Sequence, residues 1–504
     1  MRSLAGDVLL IAVATAISRL LGLVRDASIA GRFGASAAYD AFLVAFFAAN
    51  LLRQLLGEGA LATAFVPIYT AIQTTDEESD RFASNLLSLL IVLFPIVCAV
   101  GIVLAPWYVP FLASGFAPSK MALAVSLARV IFPFVALVGF GAVFMGILNA
   151  HHRFFAPAFA PVWFNVGMIG GALVLAPHFS TPVYGLAVGV LAGGAGQLLS
   201  QLPALRRAGF RFSFTLFPVH SGVWLLLRRM APALFVLAVS EVNLLVDNKL
   251  ASYLADGSIA ALQYGMRLFQ LPLGVLAVSI ATALLPRLSM AESERDSARF
   301  AGYVGDGLAA TALVLVPAAA GLALLGGDVI RLLFEHGSFA AADTLRTARV
   351  LSFYLVGLLP YGWVYVQVRA CYALGRTMVP LMATLASVAT NVALDLALVG
   401  SMHEGGLALA TGIAGGVNAA VLLVFLRRET PWTPLLKRLA LVGVGAVAMS
   451  GFVFAAQWAV RSMSVAVRVF APLVLGLLVY GLFVRRTRLW ALIRRTHAAP
   501  AQLS

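Results

Sequence analysis

The sequence predicts an all-α polytopic membrane protein with about fourteen transmembrane helices, and three observations lead to this fold class. Hydrophobic residues occupy 61% of the 504 positions and only 11% are charged, far less charge than a water-exposed surface of this size requires. The mean hydropathy of +0.96 also favours a bilayer around most of the side chains. Finally, the chain contains a series of long apolar runs. Because these runs are continuous rather than alternating, they exclude a β-barrel.

Apolar runs of about 18 residues or more are separated by glycines, prolines or charged clusters, and each run predicts a membrane-spanning segment. The runs lie near residues 6–31, 38–72, 83–113, 122–149, 158–177, 182–205, 223–254, 261–288, 301–327, 346–373, 379–400, 405–426, 435–460 and 465–484. The second run is too long for a single crossing and contains Gly57 and Gly59. We therefore expect it to bend or to continue past the membrane face.

Basic residues are distributed unequally between the two sides of the membrane that these spans define. An even number of spans places both termini on one side, and 22 of the 35 Lys and Arg residues fall on that side. Because Lys and Arg concentrate in cytoplasmic loops, both termini are expected in the cytoplasm. The net charge of +14 then reflects membrane topology, and no nucleic-acid partner is expected.

The sequence contains no motif for hydrolysis or for a cofactor. A phosphate-binding P-loop, a metal-spaced His or Cys cluster and a nucleophile-elbow serine are all absent. Cys98 and Cys371 lie in apolar runs and are predicted to be buried thiols. The chain is therefore expected to be a transporter and not an enzyme, with no cofactor, driven by an ion gradient or by the membrane potential.

Two short motifs recur in the second half of the chain at nearly the same offset. LNAHHRFFAP at 148–157 resembles CYALGRTMVP at 371–380, and TAFVP at 63–67 resembles TALLP at 282–286. Six spans separate the copies, so both halves have the same orientation in the membrane. We interpret the pattern as a parallel repeat of two six-helix lobes; chance similarity between apolar segments is the alternative.

The repeat predicts three segments: an N-terminal lobe at 1–210, a C-terminal lobe at 211–430, and two extra helices with a basic cytoplasmic tail at 431–504. Two lobes around a central cavity predict a carrier that works by alternating access. A channel is less consistent with the sequence, because no loop resembles a selectivity filter.

Several ionised side chains fall inside predicted spans, although each costs about 3 kcal/mol or more near the bilayer centre. The first two spans contain Arg19, Arg25, Asp26, Asp40, Arg53 and Glu58. In the second span Asn50, Gln54 and Glu58 are four residues apart and share one helix face. The second lobe carries Arg267 without a carboxylate nearby in sequence.

These arginines predict a cavity with fixed positive charge. A guanidinium group binds phosphate through two parallel hydrogen bonds and stays charged in any environment, so the expected substrate is a large anion. The alternative is a set of arginines that snorkel to the membrane surface or form ion pairs. That alternative applies most to Arg25 and Asp26, which lie near the end of a span.

A second polar cluster contains carboxylates, amides and a hydroxyl. The seventh span carries Glu241, Asn243 and Asp247, the eleventh carries Asn391 and Asp395, and the twelfth carries Thr411. Such oxygen atoms suit a hard cation such as Na⁺, and a lone carboxylate suits a proton. Hydrogen bonds between helices, or pairing of Asp247 with Lys249, are the alternatives.

These segments together resemble the MurJ/MviN family. SRLLGLVRD at 18–26, FG at 33–34, DAF at 40–42, NLLRQLLGEGA at 50–60 and AFVP at 64–67 are similar to the long N-terminal signature of that family. Shorter blocks that are similar to the family occur at 148–150, 243–247 and 270–274, with Arg267 just before the last. The resemblance covers residues 5–430 and weakens beyond them.

The resemblance implies a fourteen-helix member of the multidrug/oligosaccharidyl-lipid/polysaccharide exporter superfamily, located in the bacterial inner membrane and functional as a monomer. It also implies that the chain flips lipid II, the undecaprenyl-diphosphate-linked disaccharide-pentapeptide precursor of peptidoglycan, from the cytoplasmic to the periplasmic leaflet. Cell-wall biogenesis and cell shape would then depend on it. The two extra helices would form a groove for the lipid tail, and membrane lipids would be its other partners.

The resemblance also assigns roles to individual residues. The cavity arginines of the family match Arg19, Arg25, Arg53 and Arg267, with Asp40, Asn50 and Glu58 as polar companions. Its sodium site matches Asp247, Asn391, Asp395 and Thr411, which makes Na⁺ a candidate coupling ion. Many members have a second arginine where this chain has Gln54, so a role that needs paired charges at that position is not expected of this chain.

Two other functions are compatible with the sequence. One is another exporter of the same superfamily, either a lipid-linked oligosaccharide flippase or a drug/cation antiporter, although a cavity for cationic drugs should be rich in carboxylates. The other is a membrane scaffold for envelope assembly that transports nothing. The residues alone also leave open whether Na⁺, protons or the membrane potential drives the cycle.

Overall fold

The computed structural model describes residues 4–57, 60–72, 76–487 and 489, and within these ranges every regular element is helical. The α-helices are, in chain order, α1 Leu4–Phe33, α2 Ala37–Gly57, α3 Ala60–Ile72, α4 Asp76–Leu112, α5 Pro118–Ile131, α6 Phe134–Ala150, α7 Phe155–Gly170, α8 Val183–Leu199, α9 Leu202–Arg207, α10 Ser221–Ala251, α11 Ser258–Pro272, α12 Val278–Ser293, α13 Ser297–Phe334, α14 Ala341–Tyr354, α15 Leu358–Ala373, α16 Met378–Met402, α17 Glu404–Phe425, α18 Trp432–Ala459 and α19 Val465–Arg486. Short π-helical turns occupy Gly171–Leu175 and Leu273–Ala277, and 3-10 turns occupy Ala176–His178 and Leu355–Gly357. The predicted all-α class is confirmed.

Eleven helical stretches among the described residues are long and apolar enough to cross a membrane. They begin with Glu77–Leu112 and end with Val465–Arg486, and they coincide with the third to sixth and the eighth to fourteenth predicted spans. The first, second and seventh predicted spans fall on α1, on α2 with α3, and on α10. A multi-pass helical membrane protein is confirmed, whereas the count of fourteen spans stays a prediction.

The second predicted span falls on two described helices, α2, which ends at Gly57, and α3, which begins at Ala60. Glu58 and Gly59 lie outside the described residues, so the expected bend of this span stays a prediction.

The order of the helices repeats along the chain. α4 begins at Asp76 and α13 begins at Ser297, 221 positions later, and they are 37 and 38 residues long. The next span of each half is interrupted in the middle, by Phe132 and Pro133 between α5 and α6, and by the 3-10 turn Leu355–Gly357 between α14 and α15. Two closely packed helices follow in both halves, α7 with α8 and α16 with α17. This correspondence supports the repeat inferred from the motifs.

The described residues pack as two compact units. The first unit contains the chain up to Ala260 together with His336–Phe339, and the second contains the remainder. Helix α10 belongs to the first unit, where it packs on α3 and α4. The predicted segments 1–210, 211–430 and 431–504 follow the repeat rather than this packing, and they stay a prediction.

In the first unit, α7 and α8 approach each other backbone to backbone. A Cβ atom added at Gly167 would lie 2.4 Å from Gly193 Cα and 2.7 Å from the Gly189 carbonyl oxygen. Helices in lipid associate through small residues in this way, because lipid tails are as apolar as the side chains and close van der Waals packing must hold the helices together.

In the second unit, polar side chains attach α18 and α19 to both ends of α13. Arg438 Nη1 donates to Asp306 Oδ1 at 2.6 Å near the start of α13. Arg468 pairs with Asp328 near its end. The two helices that lie outside the repeat are therefore an integral part of this unit.

Replacing Gly167 by Val should lower the free energy of unfolding by about 1–3 kcal/mol, because the added methyl groups force α7 and α8 apart. Unfolding of the purified protein in detergent measures the change. Gly170→Val is the matched control on the same helix, since a Cβ there meets nothing within 4 Å. Equal destabilisation by the two variants would contradict the close packing described above.

Candidate functional site

Arg25 is held by side chains of α1 and α7 in the first unit. Its Nε and Nη2 donate to Asp26 Oδ1 at 2.9 and 2.7 Å, and its Nη1 donates to Asn165 Oδ1 at 3.0 Å. Asn165 in turn donates to the Ser18 carbonyl oxygen at 3.0 Å. The Arg25 side chain is only 12% exposed. The ion-paired alternative for Arg25 is therefore the arrangement present in this structure.

Arg53 and Asn50 form a polar face toward the end of α2. Arg53 Nε donates to Asn50 Oδ1 at 2.9 Å, and both residues are half-buried. Glu241 of α10 lies close enough to Arg53 for an electrostatic interaction, and its buried Oε2 has no hydrogen-bond partner among the described residues. Arg53 therefore lies beside an amide and a carboxylate. Glu58, which is predicted to extend this face, lies outside the described residues.

Asp40 is buried in the first turn of α2 and is 1% exposed. Lys120 Nζ lies 2.9 Å from Asp40 Oδ2 and 2.7 Å from Asp256 Oδ1. The backbone N–H groups of Gly257 and Ala260 donate to Oδ2 and Oδ1 of Asp40 at 2.7 and 2.9 Å. Asp40 thus joins α2 to α5 and to the start of α11. In this structure its carboxylate is used for packing, although the sequence places it among the substrate-binding residues.

Arg19 and Arg267 lie on exposed surfaces of the units that carry them. Arg19 is on α1 beside Leu20, which is 66% exposed. Arg267 is on α11, and Gln270, one turn later, is exposed on the same side of the helix. Each guanidinium group is therefore accessible from outside the core of its own unit.

The predicted sodium ligands of the second unit lie on two facing helices. Ser387, Asn391 and Asp395 recur every four residues on the buried side of α16, and the last two are 0% exposed. Ser387 Oγ donates to the Ala414 carbonyl oxygen of α17 at 2.8 Å, so this side of α16 faces α17. Thr411 lies one turn before Ala414. The structure thus places the three predicted ligands Asn391, Asp395 and Thr411 in one layer between α16 and α17.

The fourth predicted ligand, Asp247, is half-buried on α10 of the first unit. In the part of the chain that the structure describes, no group of three or more His, Cys, Asp or Glu side chains is arranged to hold a metal ion. The predicted sodium ligands do not form a group of that composition. They combine two carboxylates with amide and hydroxyl oxygens, the hard donors that hard cations prefer.

An apolar cavity of about 460 Å³ lies among α2, α4 and α10 of the first unit. Its lining includes Leu51, Phe111 and Leu245. Leu51 points to a different side of α2 from Asn50 and Arg53 because successive helical residues are about 100° apart. Apart from the Tyr108 hydroxyl, this lining offers a charged headgroup no polar side chain, so the polar face of α2 is distinct from the cavity.

The sequence gives no local indication of which predicted residues three partner side chains contact. Lys120, one of three lysines in the chain, follows Asp40 by 80 positions. Asn165 follows Arg25 by 140 positions, and only its place after a repeated motif draws attention to it. Glu241 occurs in sequence with the acidic cluster of α10, whereas the fold places it near Arg53.

Comparison with known proteins gives consistent matches over most of the chain. The family model described as "Lipid II flippase MurJ" matches residues 29–492. A "Lipid II flippase MurJ" of Burkholderia cenocepacia is 33% identical over 428 residues, which cover 83% of this chain and 83% of that protein. A "Probable lipid II flippase MurJ" of Vibrio cholerae is 33% identical over 454 residues, with 86% of each chain covered.

Solved structures give the same result. A structure described as "Lipid II flippase MurJ, inward closed conformation" superposes with a TM-score of 0.81 at 27% sequence identity, covering 95% of this chain and 99% of the other. An inward-facing multidrug resistance MATE transporter of the MOP superfamily superposes with a TM-score of 0.70 at 18% identity, covering 84% and 95%. The second likeness shows a shared fold alone.

Removing the partner of Asp40 should destabilise the protein. Lys120→Met leaves a buried carboxylate without its cation, and we expect a loss of about 3–5 kcal/mol in the free energy of unfolding. Asp256→Asn removes only a 66%-exposed partner of Lys120 and should cost about 0–1 kcal/mol. Unfolding in detergent measures both changes.

A double variant separates charge from side-chain volume. Lys120→Met combined with Asp40→Asn should be more stable than Lys120→Met alone, because the unpaired buried charge is gone. If the double variant is the less stable of the two, the buried ion pair is not what Lys120 contributes.

Proposed function

The chain belongs to the lipid II flippase MurJ family, and we propose that it moves lipid II from the cytoplasmic to the periplasmic leaflet of the bacterial inner membrane. It is a transporter and not an enzyme, and lipid II places it in peptidoglycan biosynthesis. The observation that carries the proposal is the match of the family model over residues 29–492. Of the four candidate arginines, Arg53 and Arg267 lie within this range, and Arg19 and Arg25 precede it.

In the proposed mechanism, arginines hold the diphosphate of the substrate. Arg53 supports this role best, because it is half-buried beside Asn50 in a helix predicted to span the membrane, where an arginine without a polar task is costly. Arg267 is exposed on α11. Arg19 is a further candidate, whereas Arg25 is engaged by Asp26 and Asn165, so its contribution is to hold α1 and α7 in place.

Alternating access completes the proposal. The sugar–peptide headgroup crosses while the lipid tail stays in the hydrocarbon, and the energy comes from an ion gradient or the membrane potential. Both termini face the cytoplasm, and one copy of the chain suffices. The layer of Ser387, Asn391 and Asp395 on α16 supports a cation site for coupling, because buried oxygen atoms at helical spacing are the ligands that a hard cation uses.

The drug/cation antiporter alternative is weaker on electrostatic grounds. A carrier for cationic drugs needs carboxylates that are available to the substrate. Asp26 is paired with Arg25, and Asp40 is paired with Lys120. The fold shared with a multidrug transporter does not change this balance of charge.

Alanine at Arg53 or at Arg267 should slow lipid II translocation by roughly tenfold or more, because each lost charge-assisted hydrogen bond to phosphate is worth about 1.5–3 kcal/mol. Translocation is measured in reconstituted vesicles, and growth is measured in cells depleted of their own flippase. Lysine at the same positions keeps the charge but loses the bidentate geometry, so an intermediate rate is expected.

Arg428→Ala is the matched control, since Arg428 is an exposed arginine in the turn between α17 and α18. It should translocate lipid II at the wild-type rate. Full translocation and full growth support by both the Arg53 and Arg267 variants would falsify the diphosphate-binding proposal, and loss of growth with intact translocation would favour an envelope scaffold.

Asparagine at Asp395 should abolish the response of translocation to a Na⁺ gradient, because the variant lacks the negative charge that attracts the cation. The test compares initial rates with and without the gradient in wild-type and Asp395→Asn vesicles. Asp256→Asn, which removes an exposed carboxylate, should keep the response. A wild-type rate that ignores the Na⁺ gradient would exclude sodium coupling.

A further inference from the structure

The segment between α9 and α10 is an ordered strap, residues 211–220, that lies along the first turns of α4. Its backbone is bound by side chains of α4 rather than by a second strand. The backbone N–H of Arg211 donates to Asp80 Oδ2 at 3.1 Å, and that of Thr215 donates to Ser88 Oγ at 2.9 Å. The backbone polar groups of this non-helical segment therefore have protein partners.

Asn85 fixes the return of the strap toward α10. Its Nδ2 donates to the Thr215 carbonyl oxygen at 2.8 Å, and its Oδ1 accepts from the His220 N–H at 2.9 Å. Ser84 accepts from the Ser213 N–H at 3.2 Å. Ser84, Asn85 and Ser88 are all buried. The strap is thus a built element, tied to α4 at several points.

The path of the strap leads toward the membrane. From Asp80 to Ser88, α4 rises about 12 Å, at about 1.5 Å per residue. Just beyond this level the exposed apolar surface of α4 begins at Ile91, which is 41% exposed. The turn that follows Thr215 therefore lies at the boundary between polar surface and hydrocarbon.

Aromatic side chains project from the strap at this boundary. Phe212, Phe214 and Phe217 are 47%, 59% and 79% exposed, and Trp224 in the first turns of α10 is 69% exposed. Exposed apolar surface of this extent is unfavourable in water, whereas the membrane interface accommodates aromatic rings. Because exposure increases toward the turn, the turn presents the largest apolar surface of the strap.

The same region carries a concentrated positive charge. Five exposed arginines flank or belong to the strap, and they are Arg206, Arg207, Arg211, Arg228 and Arg229. No Asp or Glu occurs between residues 201 and 240, and of the carboxylates in the first turns of α4, Asp80 accepts from the Arg211 N–H and Glu77 pairs with Arg81. With both termini in the cytoplasm, this cluster faces the inner leaflet, whose anionic lipids attract such groups.

We propose that the strap and its flanking arginines bind anionic phospholipid in the cytoplasmic leaflet, with the phenylalanine turn inserted among the acyl chains and the guanidinium groups on the lipid phosphates. Guanidinium binds phosphate through two hydrogen bonds, and the rings supply apolar contact at the depth where the phosphates end. The proposal depends on the proposed orientation and is independent of the substrate.

Lipid binding is measured by native mass spectrometry of the full-length protein in detergent, titrated with phosphatidylglycerol or with phosphatidylcholine. Arg206→Gln/Arg211→Gln should raise the dissociation constant for phosphatidylglycerol by roughly fivefold per arginine and leave phosphatidylcholine unchanged. The control Arg427→Gln/Arg428→Gln removes the same charge from another exposed loop predicted to face the cytoplasm. A loss of equal size in the control, or no preference of the unmodified protein for phosphatidylglycerol, would overturn the proposal.

Insertion of the turn is tested separately by fluorescence quenching. Phe217→Cys or Phe214→Cys, labelled with bimane and reconstituted with brominated lipids, should be quenched, whereas the exposed position Ala298→Cys at the start of α13 should not. The native thiols of Cys98 and Cys371 are buried and leave the label selective. Quenching at both strap positions no stronger than at Ala298 would also overturn the proposal, whatever the substrate of the protein.

Discussion

An ionised side chain in a hydrocarbon layer needs an opposite charge or a wet cavity, because lipid cannot replace its lost hydration. Much of the described structure follows this constraint. Ion pairs tie helices that are distant in sequence, and they are Lys120 with Asp40, Arg346 with Glu404, Arg438 with Asp306 and Arg468 with Asp328. Each pair joins two elements, so satisfying the charges also fixes how the helices pack. Charges inside a membrane fold are therefore structural by default, and a substrate role must be argued for each one.

The same constraint applies to the backbone where the helices end. Non-helical segments close to a bilayer must find hydrogen-bond partners in the protein. Asp40 supplies them for the residues that precede and begin α11, and Asn85 supplies them for the strap at 211–220. In both places a single buried polar side chain holds several backbone groups. Such residues look like functional candidates in a sequence, because a buried polar side chain has the same pattern whether its partner is a substrate or the backbone.

The contacts of the candidate site show which interactions the spacing of residues along one helix can predict. Arg53 with Asn50 is a contact between residues three positions apart on one helix, which helical periodicity is enough to anticipate, and Arg25 with Asp26 is a contact between neighbours in sequence. Asn391 and Asp395 share a buried side of α16 for the same reason. Lys120 and Glu241 could not be assigned to their partners, because the packing of different helices brings them together and no periodicity within one helix describes it.

The sequence by itself determined the helical membrane class and most of the spans, because the length and apolarity of a span are set by the thickness of the bilayer, and its motifs identified the family. It also identified the arginines as residues that need an explanation. Only the tertiary structure decided which charges are already satisfied: Arg25 by Asp26 and Asn165, and Asp40 by Lys120 and two backbone amides. The physical reason is that the energy of a buried charge depends on what lies within a few ångströms of it, and in a helical membrane protein those neighbours come from other helices.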